Sequence, residues 1–277
     1  MLVARHWLCA CMLLGSLLAP FPDTAHAAPA VYTVAIVPVL PATEIKRRWQ
    51  PLLDQLAQET GLGFRFRLYE DNAQLEASLL RGEPDFAMIG AFQLWHVRPH
   101  YLPILRDTRP MIGMVVVRQD STLHTLSDLN NRTLALPNGS DMTSTLLTSQ
   151  VLKDLKVRPQ LKGQRTHVNG LRAVMLGKVD AAVINSYSLQ LLPPELVQQL
   201  RVIYRTEPLP PPAFAVAPHV PAAYVRKVKA GFMRLNTTQP ALLEAALLPN
   251  VTEADMERDY NILSRILPAE ALTHAQP

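Results

Sequence analysis

Apolar positions along this chain follow two periods in alternation, close to 2 in short runs and close to 3.6 in the longer stretches between them. Val31–Val37 (VYTVAIV) is a β-branched run with the look of a strand buried on both faces. From Thr43 onward Trp49, Leu52, Leu53, Leu56 and Ala57 fall at i, i+3, i+4, i+7 and i+8, one face of a helix. Pro51 predicts a kink or a restart in it, and Gly61-Leu62-Gly63 an end. Phe64–Tyr69 alternates as a second strand. Asp71 or Asn72 then caps a helix with Leu75, Leu79 and Leu80 inward, closed by Gly82. Asp85–Ile89 (DFAMI) completes β-α-β-α-β, which implies a parallel sheet with right-handed crossovers.

The same grammar then repeats. Met111–Val117 and Thr133–Leu136 read as strands, with a short helical start at Leu126-Ser127-Asp128-Leu129 between them. A Pro-Asn-Gly-Ser turn leads into a helix with Leu147, Val151 and Leu155 at four-residue spacing and Leu152 alongside. Ser140, Asp141 or Thr143 can each cap it. A strand opening straight into a helix presents unpaired N–H groups and the positive end of the helix dipole, so the turn can hold an anion. It can equally be an ordinary connection. Gly170–Leu176 predicts a helix with Leu171, Val174 and Met175 inward, and Val179–Ile184 a buried strand. Both halves contain a helix, a glycine, one or two residues, an aspartate and an apolar strand: Arg81-Gly82-Glu83-Pro84-Asp85 and Leu176-Gly177-Lys178-Val179-Asp180. Two similar lobes follow.

Five prolines between Pro208 and Pro218 predict a stiff, extended crossing. Beyond it Ala222–Leu235, Ala241–Leu248 and Thr252–Ile266 read as helices returning to the first lobe, with Thr252 and Asp255 resembling a capping box. Crossings near Arg109–Met114 and Glu207–Phe214 would hinge the lobes around a cleft beyond the carboxyl ends of the strands. Residues 28–110 and 208–277 are assigned to lobe 1 and 111–207 to lobe 2.

Composition adds exclusions. Arg5 and His6, the apolar run Trp7–Ala19 and Ala25-His26-Ala27 read as residues 1–27 of a secretory signal peptide cleaved near Ala27, with an uncleaved anchor as the alternative. Both cysteines, Cys9 and Cys11, fall inside it, which removes disulfides and cysteine-held metal from the exported chain. A net charge of +4 with no basic run beyond Lys46-Arg47-Arg48 argues against nucleic acid. No G-x-S-x-G, H-E-x-x-H or lysine-bearing phosphate loop occurs, and Pro99 spoils the i, i+4 pair His96 and His100 as a helical metal face. The expectation is a binding protein rather than an enzyme, with no cofactor and no metal.

From about Val31 to Tyr260 the chain resembles the phosphate/phosphite/phosphonate-binding subunits of ABC transporters. The resemblance rests on Trp49-Gln50-Pro51-Leu52, Gly82–Gly90 (GEPDFAMIG), Val115–Ser121, Leu126–Leu129, Pro137-Asn138, His167 ten residues before Gly177, Val179–Ala182 and Glu207–Pro210. It implies an α/β, two-lobed periplasmic-binding-protein fold of type 2: two parallel-type sheets flanked by helices, with a double-strand hinge. It also implies a periplasmic location, a small anionic ligand and an ABC permease/ATPase partner. A sensory protein of the same fold reporting to a membrane sensor kinase is the alternative, and a monomer is expected.

In the family the turn after Pro-Asn reads like Ser-Thr-Ser-Gly, whose hydroxyls and amides hold the phosphonate. Here it is Gly139-Ser140-Asp141-Met142. Leu94, Met111 and Gly113 stand where many members carry aromatic or hydroxyl ligand residues. The positions matching the acids of aminoalkyl-phosphonate binders are Tyr187 and Ala213. The candidate ligand set is Thr43, Phe92 and Gln93 from lobe 1 with Ser140, Asp141, Thr143, His167, Asn185 and Tyr187 from lobe 2.

Overall fold

The computed structural model of the chain describes residues 30–137 and 142–266, with backbone alone at 142–144. The expected signal peptide, Ser140 and Asp141 lie outside the described residues. The strands are β1 (Val31–Ile36), β2 (Gly63–Arg67), β3 (Phe86–Ile89), β4 (Leu102–Asp107), β5 (Gly113–Arg118), β6 (Thr133–Pro137), β7 (Gln160–Gln164), β8 (Ala181–Asn185), β9 (Leu200–Arg205), β10 (Ala213–Val216) and β11 (Val251–Glu253). The helices are α1 (Ala42–Thr60), α2 (Asn72–Leu80), α3 (Ala91–Val97), α4 (Met142–Asp154), α5 (His167–Met175), α6 (Ser186–Leu189), α7 (Pro194–Val197), α8 (Ala222–Thr238), α9 (Pro240–Ala245) and α10 (Leu263–Ile266).

The strands form two sheets, ordered β11-β4-β10-β3-β1-β2 and β7-β6-β8-β5-β9. The expected parallel grammar covers three strands of each. β1 is parallel to β2 and β3, and β6 to β7 and β8. Strands adjoining the crossings enter antiparallel, β10 beside β3 and β5 beside β8. Each sheet is therefore mixed.

Period-2 alternation sorts side chains onto the two faces of each sheet. Val34, Ile36, Phe86 and Met88 point to the core under α1, α8 and α9, whereas Ala35, Ala87 and Ile89 point to the core under α2 and α3. Met114 and Val116 face Leu171 and Val174 of α5, while Val115 and Val117 face Leu152 of α4 with Leu126 and Leu129. Helix α1 buries Ile45, Trp49, Leu52, Leu53 and Leu56, matching its sequence pattern. It runs through Pro51 without interruption and ends at Gly61, whose φ of 70° suits a residue lacking Cβ.

Several expectations need correction. Leu80 is exposed, because a helix face that buries Leu75 and Leu79 turns the next residue about 100° away. The buried side of α4 is centred on Thr148 and Leu152; Leu147 and Val151 flank it, and Leu155 lies past the helix end, exposed. Thr252–Ile266 is not one helix. Val251–Glu253 pairs antiparallel with β4, Asp255 caps a single wide turn at Met256–Tyr260 by accepting from the Arg258 amide, and α10 follows. The Thr252 capping box is thus absent, since strand pairing takes the backbone it would need. β4, β7 and β9 escaped the pattern reading; β7 is polar and exposed on the edge of its sheet. Part of the proline-rich crossing becomes β10, buried at the centre of the first sheet.

Candidate functional site

Two segments cross between the sheets, between β4 and β5 and between β9 and β10. They pair through Met111 and Leu209, whose amides each donate to the other's carbonyl at 3.0 and 2.8 Å. The Thr206 hydroxyl accepts from the Gly113 amide at 2.9 Å. Asp107, fully buried at the end of β4, accepts from the Arg109 guanidinium at 2.7 Å and from its amide at 2.8 Å. Tyr187 ties the second sheet to this hinge. Its hydroxyl donates to the Arg109 carbonyl at 3.1 Å, and the Arg109 guanidinium sits 5.5 Å from its ring centroid. Burial, reinforced by the nearby Asp107 carboxylate, pushes the Tyr187 phenol well above its ordinary pKa, so it stays a donor.

Above the hinge, the carboxyl ends of β1, β3 and β8 open into a cleft. Its inner part is a chamber with about 100 Å³ of interior space, lined by Ile36, Trp49, Met88, Met111, Tyr187 and Leu191 among others. Its outer part is a wider, polar mouth to which lobe 1 gives Glu70, Asp71 and Asn72, and the second sheet Arg165, Asn169 and Arg172. Val39 and Leu40, in the loop before α1, border both. Helix α4 reaches across to the first sheet's side, where Leu146 packs against the core cluster that contains Phe92 and Leu94.

The expected ligand residues occupy different situations. Thr43 is exposed in the first turn of α1, with Pro41 rather than Thr43 at the cap position. Phe92 is buried in the core under α3, its ring 4.1 Å from that of His96. Gln93 is a brace: its side-chain oxygen accepts from the Gly90 amide at 3.2 Å, and its amide donates to Asn72 Oδ1 at 2.8 Å. His167 is buried at the start of α5, with Nδ1 3.1 Å from the Val183 carbonyl and Nε2 3.2 Å from Asn185 Nδ2. The carbonyl can only accept, so the neutral ring carries its proton on Nδ1 and accepts from Asn185 at Nε2. The Asn185 oxygen then accepts from the Ser188 amide at 2.8 Å. His167 and Asn185 thus form a hydrogen-bonded pair, with Asn185 in the chamber lining. Ser140 and Asp141 lie outside the described residues, as does the side chain of Thr143.

Asn185 and Tyr187 are brought together at the inner chamber. Thr43, Phe92 and Gln93 are not among its lining residues. Sequence reasoning missed the arginines at the mouth. Arg165 and Arg172 fall seven apart across the start of α5, a spacing with a signal only once the helix start is placed. Trp49 was legible as a core residue of α1, and it also forms a chamber wall.

Among the described residues there is no cluster of three or more His, Asp or Glu able to hold a metal, and no helix long and apolar enough to cross a membrane. Solved structures share the fold, three of them as follows. A binding-protein component of an ABC phosphonate transporter from Pseudomonas aeruginosa superposes with a TM-score of 0.75 at 18% identity, over 86% of this chain and 85% of that one. A Prochlorococcus marinus protein in complex with methylphosphonate gives 0.74 at 15%, over 86% and 97%. A Xanthomonas citri protein bound to ATP gives 0.70 at 18%, over 89% and 100%. A search of curated proteins returns no match. The family described as ABC transporter, phosphonate, periplasmic substrate-binding protein matches residues 34–260, through both sheets and both crossings. The chain therefore belongs to the periplasmic substrate-binding proteins of phosphonate ABC transporters.

Proposed function

We propose that this chain, exported and freed of residues 1–27, captures a phosphonate-type oxyanion between its lobes as a monomer and presents it to a permease and ATPase, without chemical turnover. The observation that carries the reading is the family match over residues 34–260, which spans both walls of the cleft. The α4 helix supports it physically, since a helix of 13 residues offers amide donors and a positive dipole end to an anion at its start. Thr43, exposed in the first turn of α1, is the proposed hydroxyl donor from lobe 1. Ser140 and Thr143 are the proposed hydroxyl donors beside the α4 start, with Asp141 as its cap. His167, Asn185 and Gln93 act behind the ligand by keeping the walls in place, because their polar atoms already bond within their own sheets. Phe92 serves the packing of α3.

The test is thermal unfolding of the purified protein with phosphate, phosphite and methylphosphonate. A ligand present at 100 times its Kd adds about 2.7 kcal/mol, which for a chain of this size raises Tm by several degrees. No shift with any of the three overturns the proposal, and release of phosphate from methylphosphonate overturns the absence of turnover.

A further inference from the structure

We propose that the mouth of the cleft is an electrostatic latch, in which Glu70 and Asp71 of lobe 1 pair with Arg165 and Arg172 of lobe 2 as the lobes close. Ionic strength, and not ligand alone, then sets how far the protein stands open, whatever the ligand is. The two loops concerned occupy matching places. Glu70 and Asp71 follow β2, the edge strand of the first sheet, and lead into α2, while Arg165 follows β7, the edge strand of the second, and leads into α5. β2 runs parallel to β1 and β7 to β6, so both loops leave carboxyl ends of their sheets, and they line one mouth. One loop is acidic and the other basic. Arg172, on the second turn of α5, adds a further positive charge to the same mouth.

All four side chains are exposed, and none forms an ion pair among the described residues. Asp71 caps α2 by accepting from the Gln74 amide at 2.9 Å, and Glu70 accepts from the Gln74 side-chain amide at 3.5 Å. Neither contact neutralises a charge. Opposite charges facing one another across the mouth attract over the screening length, about 10 Å at 0.1 M salt. A hinge motion that narrows the mouth brings them together. The lobes already touch elsewhere, where Leu146 of α4 packs on the cluster that contains Phe92 and Leu94. At the mouth that contact has still to be made. One exposed pair changes an equilibrium constant only about twofold to fivefold. Two pairs acting together reach about tenfold, enough to shift the balance between open and closed forms of a hinged protein.

The test is the distance between the lobes in the ligand-free protein. Freed of residues 1–27 the chain has no cysteine, so Gln58→Cys in α1 and Lys153→Cys in α4, both exposed, take a pair of labels. The expected result is a closed-to-open ratio that falls about tenfold between about 0.01 and 1 M salt, as the screening length drops from about 30 to about 3 Å. Arg165→Glu with Arg172→Glu lowers the ratio at low salt and removes its fall with salt. Adding Glu70→Lys with Asp71→Asn, which keeps a capping side chain on α2, restores most of it. Arg158→Glu, the same charge change at an exposed position outside the mouth, leaves the ratio unchanged. A ratio indifferent to salt, or a reversal that the compensating pair does not repair, overturns the latch. Loss of methylphosphonate binding in the reversed variant, with neither binding nor closure repaired, overturns it too and gives the arginines to the anion. If closure is repaired and no oxyanion binds any of these proteins, the latch stands and the oxyanion reading falls.

Discussion

The two lobes close the ends of their sheets furthest from the cleft with the same device, and differ in what the rest of the chain adds to it. In lobe 1 the Asp85 carboxylate accepts from the Thr33 amide and hydroxyl, both at 2.6 Å, and the Asp85 amide donates back to that hydroxyl oxygen at 2.9 Å. In lobe 2 Asp180 accepts from the Thr133 amide and hydroxyl at 2.7 and 2.6 Å and donates back at 2.8 Å. Each aspartate follows a helix ended by a glycine at φ 64° or 66°, Gly82 and Gly177. Only lobe 1 adds a histidine, His219, at 2.8 Å from the second carboxylate oxygen. Among the described residues, only lobe 1 carries an aromatic chain through its core. Phe86 stacks on Phe214 at 5.6 Å, and Phe214 meets Phe232 at 5.0 Å and Trp49 at 6.5 Å. The buried clusters of the second sheet are built from non-aromatic side chains, with Tyr204 packed at the edge of one of them. What neighbouring elements can build is therefore duplicated. What the C-terminal return brings, namely Phe214, His219 and Phe232, belongs to lobe 1 alone.

The sharpest way to separate the lobes is to cut their cores. Phe86→Ala should cost about 4 kcal/mol and Leu134→Ala about 3 kcal/mol in urea unfolding, both from fully buried positions. Equal costs would mean that the aromatic chain adds nothing beyond its buried area.

Acid unfolding comes next. Burial by itself would raise both aspartates, but the threonine donors, joined by His219 on Asp85 and by the Arg132 charge near Asp180, hold them below the ordinary carboxylate value. A carboxyl depressed in the folded state contributes stability that is present above its unfolded pKa, about 3.9 for aspartate, and is lost as pH falls through the folded value. Glu83 and Asp259, held at about 2, act in the same window. Stability should thus decline below about pH 4, and Asp85→Asn and Asp180→Asn should each flatten that decline while lowering stability at pH 7 by about 2 kcal/mol. A decline of unchanged slope in both variants would break the assignment.

Thr33→Val and Thr133→Val each delete one hydroxyl from an otherwise identical clip. The two should cost the same, about 1 to 2 kcal/mol, and a gap larger than about 1 kcal/mol would show that the clips are not equivalent. Smallest is His219→Ala. Its side chain is half exposed, so the loss should stay below about 1 kcal/mol, with nothing transmitted to the second sheet.

Much of the architecture was readable in order along the chain. Both helix-glycine-aspartate-strand units, the α1 face and its end at Gly61, and the two crossings come from local pattern, because a helix period, a left-handed turn and a proline run act within a few residues. Strands β4, β7 and β9 were not readable, since β7 shows no apolar alternation and all three take their place from partners distant in sequence. The placement of Asn185 and Tyr187 at the end of the strand β8 was legible, whereas α5 begins three residues before the expected Gly170, at His167. What their polar atoms do was not, because a histidine's donor and acceptor are assigned by whatever surrounds the ring.

By itself, then, the amino-acid order determined two α/β units, their hinge and the family they belong to, since each of these is written in short-range periodicity and spacing. Tertiary packing alone decided that the inner cleft is apolar. Trp49, Met111 and the Tyr187–Leu191 segment stand far apart in the chain, and only the meeting of the two sheets at the hinge turns their side chains toward one another, with Tyr187 and Asn185 hydrogen-bonded to protein partners.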